Sequence, residues 1–287
     1  LEVVAATTLP NSLPFLTMLG ASQVEELAVL ARWEASAPFR PLATPIGTRG
    51  GNEPVYLDLH EQGHGPHGLV AGTTGSGKSE LLQTLIVSLA LNYHPHELTF
   101  VLIDYKGGGM ASAFRELPHQ IGIITNLEGS LALRALIALR SEMRRRQRLF
   151  DRYLTDDRKH IDNYQQLRRQ RPEIEPLPRL VIIADEFAEL KQTQPEFMDE
   201  LISIVRIGRS LGVHLILATQ KPAGIVSDQI WSNTSFRIAL KVATTEDSRE
   251  VLKRSEAADI TRPGRAYLQV GNNELFDLFQ AGYSGAI

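Results

Sequence analysis

One short stretch of the chain has the composition and spacing of a phosphate-binding loop. It matches the pattern G-x-x-x-x-G-K-[ST] at each fixed position and consists of Gly72, Thr73, Thr74, Gly75, Ser76, Gly77, Lys78 and Ser79. Glycines let backbone N–H groups approach phosphate oxygens, and the N-terminus of a following helix adds partial positive charge. In such loops the lysine reaches the β- and γ-phosphates, and the last hydroxyl coordinates Mg²⁺. We therefore expect this loop and the adjacent Glu80 to bind ATP, with Lys78 at the phosphates and Ser79 as a ligand of Mg²⁺.

The residues on either side place this loop between a strand and a helix. Residues 68–71 are apolar, as in a buried strand, and residues 80–87 carry apolar side chains three and four positions apart, as in a helix. A strand, a glycine turn and a helix N-terminus form the context in which the pattern binds phosphate. A glycine-rich turn that fits the pattern by chance would lack this context. We therefore favour a nucleotide site.

Polar residues follow two further predicted strands. The aliphatic run 180–184 enters Asp185 and Glu186, and the run 214–218 ends just before Gln220. In open parallel sheets, ligands lie beyond the carboxyl ends of the strands, so we expect these side chains at the phosphate site. Asp185 would hold Mg²⁺ largely through water, Glu186 would orient and deprotonate the attacking water, and Gln220 would sense the γ-phosphate. An isolated Asp-Glu pair is often only a favourable charge at a helix N-terminus, but the upstream loop favours catalysis.

Hydrolysis at such a site usually needs an arginine from a neighbouring subunit. Arg134 lies early in a long predicted helix, and Arg209 precedes a predicted strand. Arg145 and Arg146 lie further along the same helix as Arg134. A solvated or ion-paired structural role is the alternative for each of them. The basic run 144–148 is more typical of a charged helix face than of a nucleic-acid surface.

Composition and charge limit the class of protein. The chain has 287 residues, of which 43% are hydrophobic, enough for one large α/β domain with additions or for two small ones. It contains no cysteine, which excludes disulfides and thiolate metal sites, and its net charge of −3 argues against a broad DNA-coating surface. No apolar run is long enough to span a membrane. Since the chain begins at Leu1, without a signal peptide or an initiator methionine, we expect it to be a fragment of a longer protein.

The hydrophobic pattern predicts the elements that position these residues. Alternating strands and helices are typical of an α/β fold with a mostly parallel sheet flanked by helices. The pattern predicts a helix from Ser22, with a capping box formed by Ser22 and Glu25, and then a proline-rich linker that ends near Gly51. We therefore expect an N-terminal helical appendage and linker over 1–51 and a nucleotide-binding domain over 52–287. Strands are predicted at 54–59, 68–71, 98–103, 120–124, 180–184, 214–218 and 237–242, helices at 131–153, at 197–211 and from 245, and a terminal hairpin with its turn at 271–273.

The same motifs resemble a known family. The phosphate loop and its flanks are similar to those of the FtsK/SpoIIIE group of RecA-like motor ATPases, and so are residues 102–108, 183–190, 209–222 and 247–249. Within that group the chain most resembles the EssC/EccC family of type VII secretion ATPases, on residues 118–119, 124–127, 145–147 and 271–276. The likeness runs from about residue 15 to residue 285.

This resemblance implies a RecA-like P-loop NTPase core and a place as the first, membrane-proximal module among tandem ATPase modules of one parent chain. It implies a hexameric ring and export of WXG-type protein substrates. The implied location is the cytoplasmic side of the bacterial cell membrane, with membrane components of the secretion system as partners, a membrane-anchored parent chain and a soluble fragment. By its position before residues 141–143, Arg134 best matches the arginine that the family supplies across subunits.

Three functions stay open at this point. The first is a motor ATPase that drives or gates protein export, the second an FtsK-like DNA translocase of the same fold, and the third an ATP-binding scaffold with little turnover of its own. The modest negative charge disfavours nucleic acid as the partner. Salt-sensitive, DNA-stimulated ATP hydrolysis would indicate the second, and tight ATP binding without turnover in the full assembly the third.

Overall fold

The computed structural model describes residues 8–36, 42–104, 109–125 and 130–285. In this part of the chain the strands are β1 (Ala43–Arg49), β2 (Glu53–Asp58), β3 (Gly68–Ala71), β4 (Leu98–Asp104), β5 (Gln120–Ile124), β6 (Arg179–Asp185), β7 (Val213–Thr219), β8 (Phe236–Ala239), β9 (Arg265–Val270) and β10 (Leu275–Ala281). The helices are α1 (Phe15–Met18), α2 (Val29–Ala35), α3 (Lys78–Asn92), α4 (Gly109–Ala113), α5 (Ser130–Tyr153), α6 (Ile161–Gln170), α7 (Phe187–Thr193), α8 (Pro195–Gly208), α9 (Asp228–Asn233) and α10 (Thr245–Leu252). Short 3₁₀ turns cover Val24–Leu27, Gly50–Asn52, Asp156–Arg158 and Glu256–Asp259.

The chain divides into two compact units. Unit 1 comprises the described residues among 1–34, 41–92 and 218–287, and unit 2 those among 35–40 and 93–217. Within the described residues, no helix combines the length and the apolar character needed to cross a membrane. The predicted boundary between residues 51 and 52 stays a prediction.

Unit 1 contains the phosphate loop and a sheet with the strand order β2-β1-β10-β9-β8-β3. β3 and β8 are parallel, with Gly68 opposite Phe236, while the other neighbours in this order are antiparallel. β3 is buried along its whole length, as expected for an apolar strand covered on both faces. Helix α3 packs on β1, where the buried Thr44 hydroxyl donates to Ser88 Oγ at 2.7 Å.

Unit 2 contains β6, β4, β5 and the residues of β7 up to Leu217, which are parallel and follow the order β7-β6-β4-β5. The side chains of β4 are buried along the whole strand, and so are those of β6 before its last residue. Parallel strands buried on both faces are nearly continuous apolar runs, and this is the pattern by which the sequence predicts them. The register of β4 and β6 places Asp104 opposite Asp185, so two carboxylates lie side by side where these strands end.

The predicted strands, the long helix α5 and the terminal hairpin are confirmed, but the helix predicted from Ser22 is not continuous. Ala28 has a left-handed backbone with φ 46°, which separates a 3₁₀ turn from α2. The predicted capping box is also wrong in detail, because the Ser22 N–H donates to Glu26 Oε2 at 2.7 Å and not to Glu25. Apolar spacing predicts a helical face without detecting a single residue that breaks the helix.

Two further predictions differ from the structure. The predicted proline-rich linker contains β1, whose pairing with β2 shifts register between Pro45 and Gly47. A strand tolerates proline at such an irregularity, where no ladder hydrogen bond is needed. The helix predicted over 197–211 begins earlier, at Pro195, and ends at Gly208. Proline is favoured in the first turn of a helix, where its missing N–H is not required.

The basic run of α5 contains a buried structural arginine. Arg146 is 1% exposed and donates to Glu142 Oε1, to Leu211 O and to Pro178 O, each at 2.8 Å. Burial lowers the pKa of its guanidinium to about 10, so it stays charged at neutral pH. Arg145 is bound by Glu142 and Glu175 at 2.8 and 2.7 Å. Both side chains are therefore ion-paired, and Arg146 holds α5 to two backbone segments of unit 2.

Arg146→Ala should destabilise the fold strongly. The substitution leaves the carbonyl oxygens of Leu211 and Pro178 without this donor and removes the partner of Glu142, so we expect a loss of about 3 kcal/mol or more. Urea unfolding measures this, with Arg144→Ala as the control. Arg144 is exposed on the same helix, and its replacement should change stability by less than about 0.5 kcal/mol. Equal effects of the two variants would contradict the structural role of Arg146.

Candidate functional site

The phosphate loop lies directly between β3 and α3, as the sequence predicts. Its backbone is tied to neighbouring strand ends. The Gly72 N–H donates to Thr219 O at 3.1 Å, and the Thr73 N–H donates to Lys241 O at 2.8 Å. A tight turn follows, in which the Ser76 N–H donates to Thr73 O at 3.0 Å. The loop is thus held at both of its neighbouring strands before it enters the helix.

Two glycines of the loop have backbones that other residues rarely adopt. Gly75 has φ 78° and Gly77 has φ 97°. A Cβ atom added at Gly77 would lie 2.8 Å from Gly264 N, whereas one added at Gly75 would meet nothing within 4 Å. The Gly264 N–H donates to Ser76 O at 2.8 Å. Glycine is therefore required at position 77 for two reasons: the positive φ angle and the close approach of the segment at Gly264.

A cavity of about 820 Å³ opens at this loop, within unit 1. The lining includes the predicted loop residues Thr73, Thr74, Gly75, Gly77, Lys78, Ser79 and Glu80, and also Gln220. The Thr74 hydroxyl donates to Gln220 Oε1 at 2.9 Å, so the structure brings Gln220 to the loop as predicted. The first N–H groups of a helix have no partner within it, and α3 begins at Lys78, where such groups could meet an anion.

Two buried oxygens of the loop region find no donor in the part of the chain that the structure describes. Ser76 Oγ and Glu80 Oε2 find no hydrogen-bond partner within the described residues. Buried polar atoms normally have a partner in the protein, a water or a ligand, so these oxygens point to a bound polar group or a hydrated cation. The Ser79 side chain lines the same cavity, and hydroxyl and carboxylate oxygens are ligands that Mg²⁺ prefers. The donor set therefore fits magnesium bound with phosphate.

In unit 2, Asp185 ends β6 and Glu186 begins the turn into α7. Glu186 is 5% exposed and has a left-handed backbone with φ 56° and ψ 49°. Its N–H donates to Asp185 Oδ1 at 3.1 Å. A left-handed backbone at a residue other than glycine stores strain of about 1–3 kcal/mol, and such strain clusters at functional sites. Residues 105–108 and 126–127, which belong to stretches that resemble the family, lie outside the described residues.

The two candidate arginines both lie in unit 2 and are exposed. Arg134 lies on α5 beside a groove whose walls include Ile121 and Ile123 of β5. Arg209 directly follows the last residue of α8. Exposure is what an arginine needs in order to reach a site on another subunit. Their catalytic assignment stays a prediction.

Most of the chain matches one protein family. The sequence profile described as the FtsK/SpoIIIE family matches residues 27–224, a span that includes the phosphate loop, Asp185, Glu186 and Gln220.

The chain belongs to the FtsK/SpoIIIE family.

Two curated relatives that the chain matches over nearly its whole length are named as secretion-system proteins. The chain is 57% identical over 278 residues to the type VII secretion system protein EssC of Staphylococcus aureus. This match covers 97% of this chain and 19% of EssC. It is 56% identical over 283 residues to the ESX secretion system protein EccC of Geobacillus thermodenitrificans, covering 98% of this chain and 19% of that protein. The chain therefore spans 19% of the length of these curated relatives.

A solved relative confirms the fold. The cytoplasmic domain of the Thermomonospora curvata type VII secretion ATPase EccC superposes with a TM-score of 0.85 at 36% identity, over 96% of this chain and 32% of that chain. The predicted α/β class, with parallel strands and flanking helices around a P-loop, is confirmed by this match and by the strand pairing.

Sequence reasoning missed one part of the cavity. Leu13, Pro14, Pro263 and Tyr283 also line it, and Gly264 contacts the loop itself. These residues lie outside the span that matches the FtsK/SpoIIIE family. No motif or periodicity distinguishes them, because their proximity to the loop arises only from the pairing of distant strands.

Gly77→Ala should lower stability more than Gly75→Ala. Both substitutions force alanine into a positive φ, which costs about 1 kcal/mol or more, but only the first also drives a methyl group against Gly264. Thermal unfolding of the two variants measures the difference, and Gly75→Ala serves as the matched control for backbone strain alone. If Gly75→Ala were the more damaging, the close packing of Gly264 on the loop would be contradicted.

Proposed function

We propose that this chain is an ATP-binding and ATP-hydrolysing motor module of a bacterial type VII protein secretion system. The observation that carries the proposal is a complete phosphate loop built into a cavity, in an FtsK/SpoIIIE chain that is 57% identical to EssC. The fold alone would not distinguish protein export from other motor functions. The identity to secretion proteins supports the choice.

ATP is the proposed ligand of the cavity, with Mg²⁺ as its cofactor. The backbone of the loop and the first turn of α3 would donate to the phosphates, and Lys78 would contact the β- and γ-phosphates. Ser79 would coordinate Mg²⁺, and Asp185 would hold it largely through water. Bound there, Mg²⁺ would supply positive charge that stabilises the negative charge developing on the phosphates.

Hydrolysis would use the residues that follow the strands. Glu186 would accept a proton from the attacking water and orient it, and its strained, buried position supports a role beyond packing. Gln220 would sense the γ-phosphate and transmit its presence to the loop, since its amide oxygen already accepts a hydrogen bond from the Thr74 hydroxyl. Arg134 is the first candidate for the arginine supplied by a neighbouring subunit, and Arg209 is the second.

The assembly that we propose is a hexameric ring of parent chains. Other ATPase modules of the same parent chain would be its neighbours, together with membrane components of the secretion system at the cytoplasmic side of the bacterial cell membrane. WXG-type proteins are the proposed substrates. The basic run of α5 does not support DNA as the cargo, because Arg146 is buried and Arg145 is ion-paired.

Glu186→Gln should bind ATP with Mg²⁺ and fail to hydrolyse it. A glutamine keeps the size of the side chain but cannot accept the proton, so turnover should fall by about 10²-fold or more. The measurement is phosphate release by the assembled parent protein, with the bound nucleotide identified after removal of free ATP. Glu196→Gln, an exposed acidic residue in the first turn of α8, is the matched control. Turnover of Glu186→Gln at the wild-type rate would show that another residue activates the water. Tight ATP binding without turnover in the wild-type assembly would instead support an ATP-binding scaffold.

Mixing two inactive variants tests the shared site. Subunits with Arg134→Ala keep their phosphate loop, and subunits with Lys78→Ala keep their arginine. In rings formed at random from equal amounts, about a quarter of the sites combine an intact loop with an intact neighbouring arginine. We expect ATPase activity to return in the mixture although each variant alone is inactive. No recovery would exclude Arg134 as a residue acting across subunits, and the same mixture with Arg209→Ala then tests the second candidate.

A further inference from the structure

A buried glutamine of unit 1 is bonded to the segment that contacts the phosphate loop. Gln280 lies on β10 and is 3% exposed. Its Oε1 accepts from Arg265 Nε at 3.1 Å, and its Nε2 donates to Pro263 O at 3.1 Å. An amide side chain offers an acceptor and a donor at two separate atoms, and here both atoms are used. Because a buried amide is costly without such bonds, these two partners fix its orientation.

Strand pairing brings Arg265 to this glutamine. The two residues lie opposite each other in the antiparallel pair of β9 and β10, so their side chains share one face of the sheet. Arg265 Nη2 also donates to Pro10 O at 2.9 Å. The same guanidinium therefore orients Gln280 and is bonded to the segment before α1.

Two bonds anchor the Pro263–Gly264 turn on β10. Pro263 O accepts from the Gln280 side chain, and Gly264 O accepts from the Ala281 N–H at 2.8 Å. A Cβ atom added at Gly264 would lie 2.6 Å from Gln280 Nε2, so the glutamine packs directly against the turn. Loss of the Gln280 side chain would remove one of these two anchors.

The Pro263–Gly264 turn holds the middle of the phosphate loop. The Gly264 N–H donates to Ser76 O at 2.8 Å, and Ser76 lies between Gly75 and Gly77. Glycine loses more conformational freedom on ordering than any other residue, so a segment flanked by two glycines needs outside contacts to keep its geometry. The N–H groups of the loop are aimed at an anion only while that geometry is kept. The position of the loop therefore depends on the turn, and the turn depends on Gln280.

We propose that Gln280 is a positioning residue of the phosphate loop, which acts through the Pro263–Gly264 turn and is itself oriented by Arg265. The inference rests on the proposed function, because it needs a phosphate ligand in the loop. Gln280 holds the loop in its binding geometry before the ligand arrives, and such preorganisation raises affinity by lowering the cost of ordering on binding. The residues that set the loop from this side lie beyond the span shared with the family, which ends at residue 224.

Gln280→Met should weaken the binding of phosphate ligands. Methionine keeps the length of the side chain and removes both hydrogen bonds, so ATP and inorganic tripolyphosphate should each bind about 10-fold more weakly. Gln269→Met is the matched control, because Gln269 is also 3% exposed, lies on β9 of the same hairpin and donates to Asn273, outside the cavity lining. The control should keep the wild-type affinity for both ligands. Isothermal titration gives each affinity, and thermal unfolding shows whether each variant is folded.

Amide hydrogen exchange separates positioning from direct contact with the ligand. In the ligand-free protein, Gln280→Met should speed exchange of the Gly264 N–H, which is bonded to Ser76 O, by about 10-fold, and Gln269→Met should leave that rate unchanged. Exchange at the wild-type rate together with weakened affinity would mean that Gln280 contacts the ligand itself, which overturns the positioning role. Wild-type affinity of Gln280→Met for both ligands would overturn it equally.

Arg265→Met tests the orienting contact without emptying the position of the glutamine. It should weaken both ligands by about 3-fold, whereas Arg262→Met, which removes the same charge from an exposed position nearby, should not. The double variant with Gln280→Met should bind no more weakly than Gln280→Met alone, because Arg265 acts through Gln280. Additive losses would overturn the contribution of Arg265. If Gln280→Met does not fold, equal affinities of Arg265→Met and Arg262→Met would overturn the inference.

One further variant separates this inference from the proposed function. Lys78→Ala should weaken both ATP and tripolyphosphate, since the lysine reaches the phosphates directly. If it weakens neither, the phosphate site itself is wrong whatever Gln280 does. If it weakens both while Gln280→Met binds as the wild type does, the site stands and the positioning role alone is overturned.

Discussion

The close contact between the phosphate loop and Gly264 is the constraint on which the rest of unit 1 depends. A loop binds phosphate well only when its N–H groups are already aimed at the ligand. Here that geometry requires two positive φ angles, which glycine supplies at positions 75 and 77, and the loop is held by the Gly264–Ser76 hydrogen bond together with the bonds to Thr219 and Lys241. Each partner comes from a segment distant in sequence. The site is therefore a property of the folded unit more than of the motif.

In unit 2, a buried arginine fixes the position of a helix through directional hydrogen bonds. Its strands are apolar, so they pack without specifying how α5 lies against them. Arg146 supplies that specificity through directional bonds to Leu211 and Pro178, and Glu142 balances its charge. A buried charge is retained in a fold only when it is paired and fully hydrogen-bonded. The strained backbone at Glu186 lies in the same unit, where the buried strand β6 can hold it.

A local sequence pattern predicts an element when the residue types that favour burial are also the types that favour that secondary structure. β3, β4 and β6 are continuous apolar runs, and each was located to within about a residue. A local pattern does not predict β1, because Pro45 and Gly47 are residue types typical of turns, and pairing with β2 and β10 is what holds them in a strand. The break at Ala28 was missed for a related reason, since alanine is a favourable helix residue and its left-handed backbone reflects tertiary context.

The sequence by itself determined the phosphate loop, the carboxylates after β6, the glutamine after β7 and membership of the family, because each is encoded in neighbouring residues. Only the tertiary structure decided that Arg146 is buried, that Gln220 is bonded to Thr74, and that Tyr283 lies in the cavity of the loop. These facts depend on contacts between segments that are distant in sequence, since Arg146 lies 65 residues from Leu211 and Gln220 lies 146 residues from Thr74. Local propensity contains no information about them, since burial and proximity are set by the strand order of the folded chain.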